Sequence, residues 1–164
     1  MFSGADVVVA GGGDSAFQEA LVLAGECRAV HIVFDRPEPT AHGRFREAVA
    51  GCGNIRLWPD RRVEEIVGDG TGVTAVRLRL ADAGSEELAC AGLFAYIGLV
   101  PNGQAAPDGV ARDAHGALLA GDDLQTGLPG LWAIGQVRAG FSGRLDGAAD
   151  EGKRAARAVK DMLG

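Results

Sequence analysis

The chain has 164 residues, 47% apolar and 23% charged, with a net charge of −6. This is globular composition, long enough for one good core or two small lobes. The acidic balance speaks against nucleic-acid or anionic-membrane partners, no apolar run reaches the ~20 residues that span a bilayer, and residues 1–6 carry no basic or apolar leader pattern, so a cytoplasmic location is expected.

Asp6-Val7-Val8-Val9-Ala10 reads as a buried parallel strand, and Gly11-Gly12-Gly13 as a turn that a bulky Cβ would not fit. Ser15 and Ala16 open a helix with Phe17, Ala20, Leu21 and Ala24 on one face, ended by Gly25. This is G-x-G-x-x-A between a strand and a helix, the fingerprint of a dinucleotide-binding unit. Gly11 permits the tight turn, Gly13 lets a pyrophosphate approach the backbone, and Ala16 lets the helix lie close to the strand. The first-turn N–H groups and the helix dipole then face the anion. The competing reading is a Gly-rich turn in an ordinary α/β domain. Residues 28–34 form a second strand and complete a right-handed βαβ unit. Asp35 beyond its end can accept a bond from a ribose 2′-hydroxyl, which favours NAD, whereas Arg36 can attract a 2′-phosphate. Each is otherwise a solvated charge.

Pro37-Glu38-Pro39-Thr40 reads as a turn, with Thr40 the N-cap of a short helix that stops near Gly51-Cys52-Gly53. Arg44 and Arg46 on that helix are further phosphate candidates, or a solvated face. Residues 54–58 are a third strand. The runs 63–67, 73–80 and 86–91, separated by turns at 68–70 and 82–85, read as an antiparallel meander inserted in the parallel sheet. Arg77 and Arg79 alternate with Val76, Leu78 and Leu80, the period of a sheet with one wet face. Residues 93–97 return as a buried parallel strand ending at Gly98.

Pro101-Asn102-Gly103 breaks the chain and places a lobe boundary near residues 100–106. Beyond it, residues 115–119 read as a short strand, 126–130 as a turn, and 131–134 as a buried strand ending in Gly135-Gln136. The last helix carries Ala148, Ala149, Gly152, Ala155, Ala156, Val159 and Leu163 at helical spacing. So small a buried stripe demands close approach to whatever covers it. Together with Trp132 and Ile134 it calls for a partner surface. Cys27, Cys52 and Cys90 form neither C-x-x-C nor a zinc spacing and read as small reduced apolar residues. His31, His42 and His115 belong to no motif. No catalytic residue and no metal ligand is assigned.

In this order the features resemble the low-molecular-weight thioredoxin reductase family of pyridine nucleotide-disulfide oxidoreductases. The shared landmarks are Gly11-Gly12-Gly13-Asp14-Ser15-Ala16, the meander, residues 91–98 with Pro101-Asn102, and residues 126–135. The resemblance implies an α/β, Rossmann-like FAD/NAD(P)-binding fold. Residues 1–100 would be the NAD(P)H lobe. Residues 101–164 would be the C-terminal segment of a discontinuous FAD domain, whose first half is not among these residues. It also implies cofactor contacts at Gly11, Gly12, Gly13, Asp14, Ser15 and Ala16, at Asp35, Arg36 and Arg46 around the ribose, at Ile97 and Gly98, and at Gly135, Gln136, Val137 and Arg144 toward a flavin.

Three departures shape the expected function. The family's redox C-x-x-C is missing, its basic pair after a His appears as Phe34-Asp35-Arg36, and its flavin-contacting Asp is Gln136, which keeps hydrogen bonds but no charge. Thiol–disulfide reduction by this chain alone is not expected, because no vicinal dithiol can pass electrons onward. What the resemblance implies is the NAD(P)H-binding part of a flavin oxidoreductase, with NADH slightly favoured by Asp35. FAD would be shared with a partner polypeptide that supplies the other half, or with a second copy in a homodimer. The alternative is a nucleotide-binding subunit without turnover. Intact Gly11, Gly13 and Ala16 argue against a scaffold that binds no nucleotide.

Overall fold

Runs of Val and Ile uninterrupted by charge favour strands buried on both faces, and the chain uses them so. In the computed structural model, which describes residues 1–80, 82 and 84–164, the chain divides into two units, Met1–Gly98 and Leu99–Gly164. The first contains β1 (Asp6–Ala10), α1 (Asp14–Ala24), β2 (Ala29–Val33), α2 (Gly43–Ala50), β3 (Ile55–Trp58), β4 (Arg61–Gly68), β5 (Val73–Leu80), β6 (Ser85–Ala89) and β7 (Leu93–Ala95). A parallel sheet runs β3-β2-β1-β7. This is a Rossmann-like arrangement, with the β1–α1–β2 crossover at its centre.

Alternation along β1 sends its valines to two cores. Val7 and Val9 pack with Ala16, Phe17 and Ala20 of α1 and with Val30 and Ile32 of β2. Val8, with Val33, packs against Val76 and Leu78 of β5. Each such fully buried Val, Ile, Leu or Phe stabilises the unit by about 1.5–3 kcal/mol relative to exposure. The meander strands β4, β5 and β6 form their own antiparallel sheet. They are inserted in the sequence between β3 and β7, not between the strands of the parallel sheet. The turn expected at 82–85 includes Ala83, and Ala81 and Ala83 lie outside the described residues.

Several expectations are corrected. Helix α2 starts at Gly43 with His42 as its N-cap, not Thr40. The Thr40 N–H and hydroxyl both donate to the Gly12 carbonyl instead, at 2.8 and 3.3 Å. The returning strand covers only Leu93–Ala95, and Ile97 beyond it is 79% exposed. As the edge of the sheet, β7 has one strand neighbour, so apolar residues there are not enclosed on both sides.

The second unit contains a 3-10 turn, Gly135–Val137, and one long helix, α3 (Leu145–Leu163). Residues 115–119 and 131–134 are not strands. They make isolated bridges, Leu118 to Arg112 and Arg138, and Trp132 to Gln125, and Ile134 is exposed. A small cluster of Val110, Leu118 and Ala133 forms the apolar centre. The α3 stripe is only partly covered: Ala155 is buried, but Ala149, Ala156 and Leu163 are exposed. The other buried residue of α3 is Glu151, a carboxylate outside the helix's stripe of small apolar residues. Among the described residues no helix is long and apolar enough to cross a membrane.

Candidate functional site

At the C-terminal end of β1 the chain turns through three glycines, each in a different steric situation. Gly11 has φ +137°, and a Cβ built there would lie 2.3 Å from the Tyr96 carbonyl oxygen and 3.3 Å from the Ala16 Cβ. Its N–H donates to Val33 O at 2.8 Å, while the Tyr96 N–H donates to Ala10 O at 2.7 Å. The bend is thus held between the ends of β2 and β7. A Cβ on Gly12 would press on the Phe34 side chain at 3.1 Å. Gly13 has ordinary extended backbone, φ −93° and ψ 180°, and its missing Cβ has no neighbour nearer than Thr40 Oγ1 at 3.8 Å. The space in front of Gly13 is open.

Gly13 caps α1 without a side-chain bond. The first helical bond runs from the Phe17 N–H to Gly13 O at 3.2 Å. The N–H groups of Asp14, Ser15 and Ala16 precede it and have no protein acceptor among the described residues. Unclaimed donors, the positive helix end and an open approach suit an anion. The pyrophosphate of a dinucleotide therefore fits these residues. The Asp14 side chain does not oppose it, being drawn off toward His42. Its carboxylate accepts the His42 N–H at 2.7 Å and lies 2.6 Å from His42 Nδ1. The His42 backbone donor, helped by the ring, holds the Asp14 carboxyl below the usual carboxylate range.

Gly11, Gly12, Gly13, Asp35, Arg36 and Ile97 line one cleft of about 730 Å³. Asp14, Ser15, Ala16, Gly98 and Arg46 do not line it. Arg46 donates to Glu38 at 2.7 Å and borders a neighbouring cavity of about 600 Å³ with Phe17, Phe34 and Cys52. Arg44 lies over the Phe45 ring, 4.6 Å from its centroid. The cleft's other wall was missed by the sequence reading: it is the edge of β4, from Arg61 to Ile66. A pattern search for phosphate ligands stays near the glycines, whereas β4 arrives through the long-range return of the chain after β3.

In the second unit, Gly135 has φ +69°. Its N–H donates to Glu151 at 2.7 Å, and Arg138 donates to the other carboxylate oxygen. The Arg138 guanidinium, then the Gly135 N–H, hold the Glu151 carboxyl below its usual range. Gln136 is exposed, Val137 accepts the Leu118 N–H at 2.8 Å, and Arg144 is engaged by Asp146 through two bonds of 3.0 and 2.7 Å. One exposed amide and one arginine already held by a carboxylate do not by themselves make a flavin cradle.

The histidines have structural surroundings. Trp58 Nε1 donates to His31 Nδ1 at 3.0 Å, and burial pushes the His31 pKa down. The His115 N–H donates to Asp113 at 2.8 Å. Cys27, Cys52 and Cys90 are free, and burial raises the Cys27 and Cys90 thiols, which keeps them protonated and unreactive. Among the described residues no group of three or more His, Cys, Asp or Glu side chains could hold a metal ion.

Comparison with known proteins agrees with the fold. The family model for pyridine nucleotide-disulphide oxidoreductases matches residues 2–160. A thioredoxin reductase of Listeria innocua is 35% identical over 139 residues, which is 84% of this chain and 44% of that protein. A thioredoxin reductase of Treponema pallidum is 32% identical over 163 residues, 99% of this chain and 52% of that protein. The crystal structure of Lactococcus lactis thioredoxin reductase superimposes with a TM-score of 0.85 at 28% identity, covering 98% of this chain and 53% of that one. The chain spans about half the length of the relatives it matches.

Proposed function

This chain belongs to the pyridine nucleotide-disulphide oxidoreductase family, and we propose that it is the NAD(P)H-binding part of a thioredoxin-reductase-like flavin oxidoreductase. The observation that carries this reading is the open space at Gly13: Gly11 to Gly13 line the cleft, and the helix N–H groups that follow Gly13 have no protein acceptor among the described residues. In it, Gly11 to Gly13 and the first turn of α1 hold the diphosphate, and Asp35 accepts a ribose hydroxyl, slightly favouring NADH. The bound nicotinamide supplies the hydride, and the chain's part is to bind and orient it. Residues 101–164 serve as one segment of an FAD-binding domain, with Gln136 offering an uncharged contact. The remaining FAD-binding segment comes from a partner polypeptide or from a second copy. The setting is the cytoplasm.

A second reading is a nucleotide-binding subunit with no turnover of its own. It is favoured by the lack of C-x-x-C in this chain and by Gln136 and Arg144, which do not by themselves form a flavin site. Flavin absorbance and NADH oxidation separate the two. A yellow protein that consumes NADH supports the oxidoreductase, and a colourless one that binds NADH without consuming it supports the subunit.

Gly13→Val tests the cradle itself. The backbone there accepts an L-residue and the space is open, so the fold survives while the branched side chain occupies the diphosphate's approach. Calorimetry is expected to show NADH affinity reduced by at least about tenfold, with the thermal midpoint changed by only about 2 °C. Unchanged affinity defeats the reading.

A further inference from the structure

The charges around the cleft do not balance among themselves. Most are already committed to protein partners: Glu38 to Arg46, Arg61 to Glu86, Glu64 to Arg79 and Glu65 to Arg77. Asp35, Arg36 and Arg62 line the same cleft, and their side chains have no hydrogen-bond or ion-pair partner among the described residues. The residual charge is therefore two guanidinium groups against one carboxylate.

The backbone explains how Arg62 reaches this end of the cleft. Asp60 takes a left-handed conformation, φ +55°, which Asp tolerates better than most residues. That turn folds β4 back beside the extension of β2. The Asp60 N–H donates to Arg36 O at 3.1 Å, and the Arg61 N–H donates to Phe34 O at 3.0 Å. Arg62 follows immediately, on the edge of its sheet. Directly opposite it in the ladder stands Arg79, a like-charge placement that costs stability. Arg79 is relieved by Glu64, whereas Arg62 has no counter-charge among the described residues. A cation held at such a cost beside Asp35 and Arg36 suits an anionic ligand at the ribose end.

We infer that Arg62 is a specificity-determining residue of the coenzyme cleft: together with Arg36 it holds the 2′-phosphate of NADPH against the repulsion of Asp35. This rests on the reading of the cleft as a pyridine-nucleotide site. It gives Arg46 no part in phosphate recognition, and it makes the chain tolerant of both coenzymes. A guanidinium suits the task because its fork can donate two parallel bonds to a phosphate.

The test is calorimetric titration of the whole chain with NADH and with NADPH, for the wild type, Arg62→Gln and Arg62→Lys. Arg62→Gln is expected to weaken NADPH about tenfold and to leave NADH within about twofold. It also flattens the salt dependence of NADPH binding, because one screened charge contact is lost. Arg62→Lys recovers part of the NADPH affinity. Equal losses for both coenzymes, or no loss for either, overturn the assignment while the coenzyme site stands. Binding of neither coenzyme by the wild type overturns the site reading itself, and the assignment with it.

Discussion

In the first unit Val7, Val8, Val9, Phe17, Val30 and Ile32 have no exposed surface at all, whereas the second unit's best-enclosed side chains, Leu124 and Ala133, retain 2% and its buried residues include the carboxylate of Glu151. The first unit repeats one device, a strand ladder whose alternating residues feed two apolar cores. The second has bridges in place of ladders, and it holds the bend at Gly135 with the Glu151–Arg138 pair. A polypeptide that cannot close a sheet on itself substitutes directed polar bonds for enclosed apolar area. Such bonds contribute less net stability but leave a large penalty when one member is removed.

This contrast can be broken from either side, and each unit carries its own tryptophan, Trp58 or Trp132, to report the result. The largest effect is expected from Gly11→Val. It drives a branched side chain into the Tyr96 carbonyl from a backbone conformation that L-residues avoid. A loss of about 4 kcal/mol in the first unit is expected in urea melts followed through Trp58, with the Trp132 transition retained.

Next comes Glu151→Ala, which leaves Arg138 half-buried without its carboxylate. About 3 kcal/mol should be lost from the Trp132 transition. The pH dependence follows from the sign of the shift. Glu151 has a lowered pKa in the folded state, so its stabilisation is complete above the unfolded carboxyl value near ~4.3 and is lost as pH falls through the lower folded value. Acid titration should therefore weaken the second unit below about pH 4, and Glu151→Gln should remove that slope.

The smallest effect is Trp58→Phe. It deletes the donor to His31 Nδ1 while keeping an aromatic ring beneath Arg61, and is expected to cost about 1 kcal/mol in the first unit, read by calorimetry. A larger loss there than for Glu151→Ala would reverse the comparison.

What was legible in the sequence follows the same division. Gly11 and Ala16 could be read because a hard steric limit acts over a few residues: each leaves room for the other, and for Tyr96. The βαβ order was equally readable from unbroken Val and Ile runs. Edge and partner were not. Apolar residues 93–97 look alike whether one strand neighbour or two will flank them, and residues 131–134 look like a strand although only Trp132 finds a bridge partner. Arg46 pointed to phosphate until the turn at 37–39 brought Glu38 to it, and Arg62 gave no sign because only the turn at Asp60 brings it to the cleft. Glu151 carries no sign of its burial, since helical spacing does not show that a carboxylate will be needed beneath Gly135.

The segment at 40–42 has a practical consequence for anyone redesigning this molecule. Its backbone and side chains fasten to the Gly12 carbonyl and the Asp14 carboxylate. The fingerprint is therefore stitched to residues well downstream of it, and transplanting residues 6–16 alone into a foreign scaffold would carry over the lettering without the seam. A graft should keep Thr40, Ala41 and His42 in place, or provide new donors where they stood.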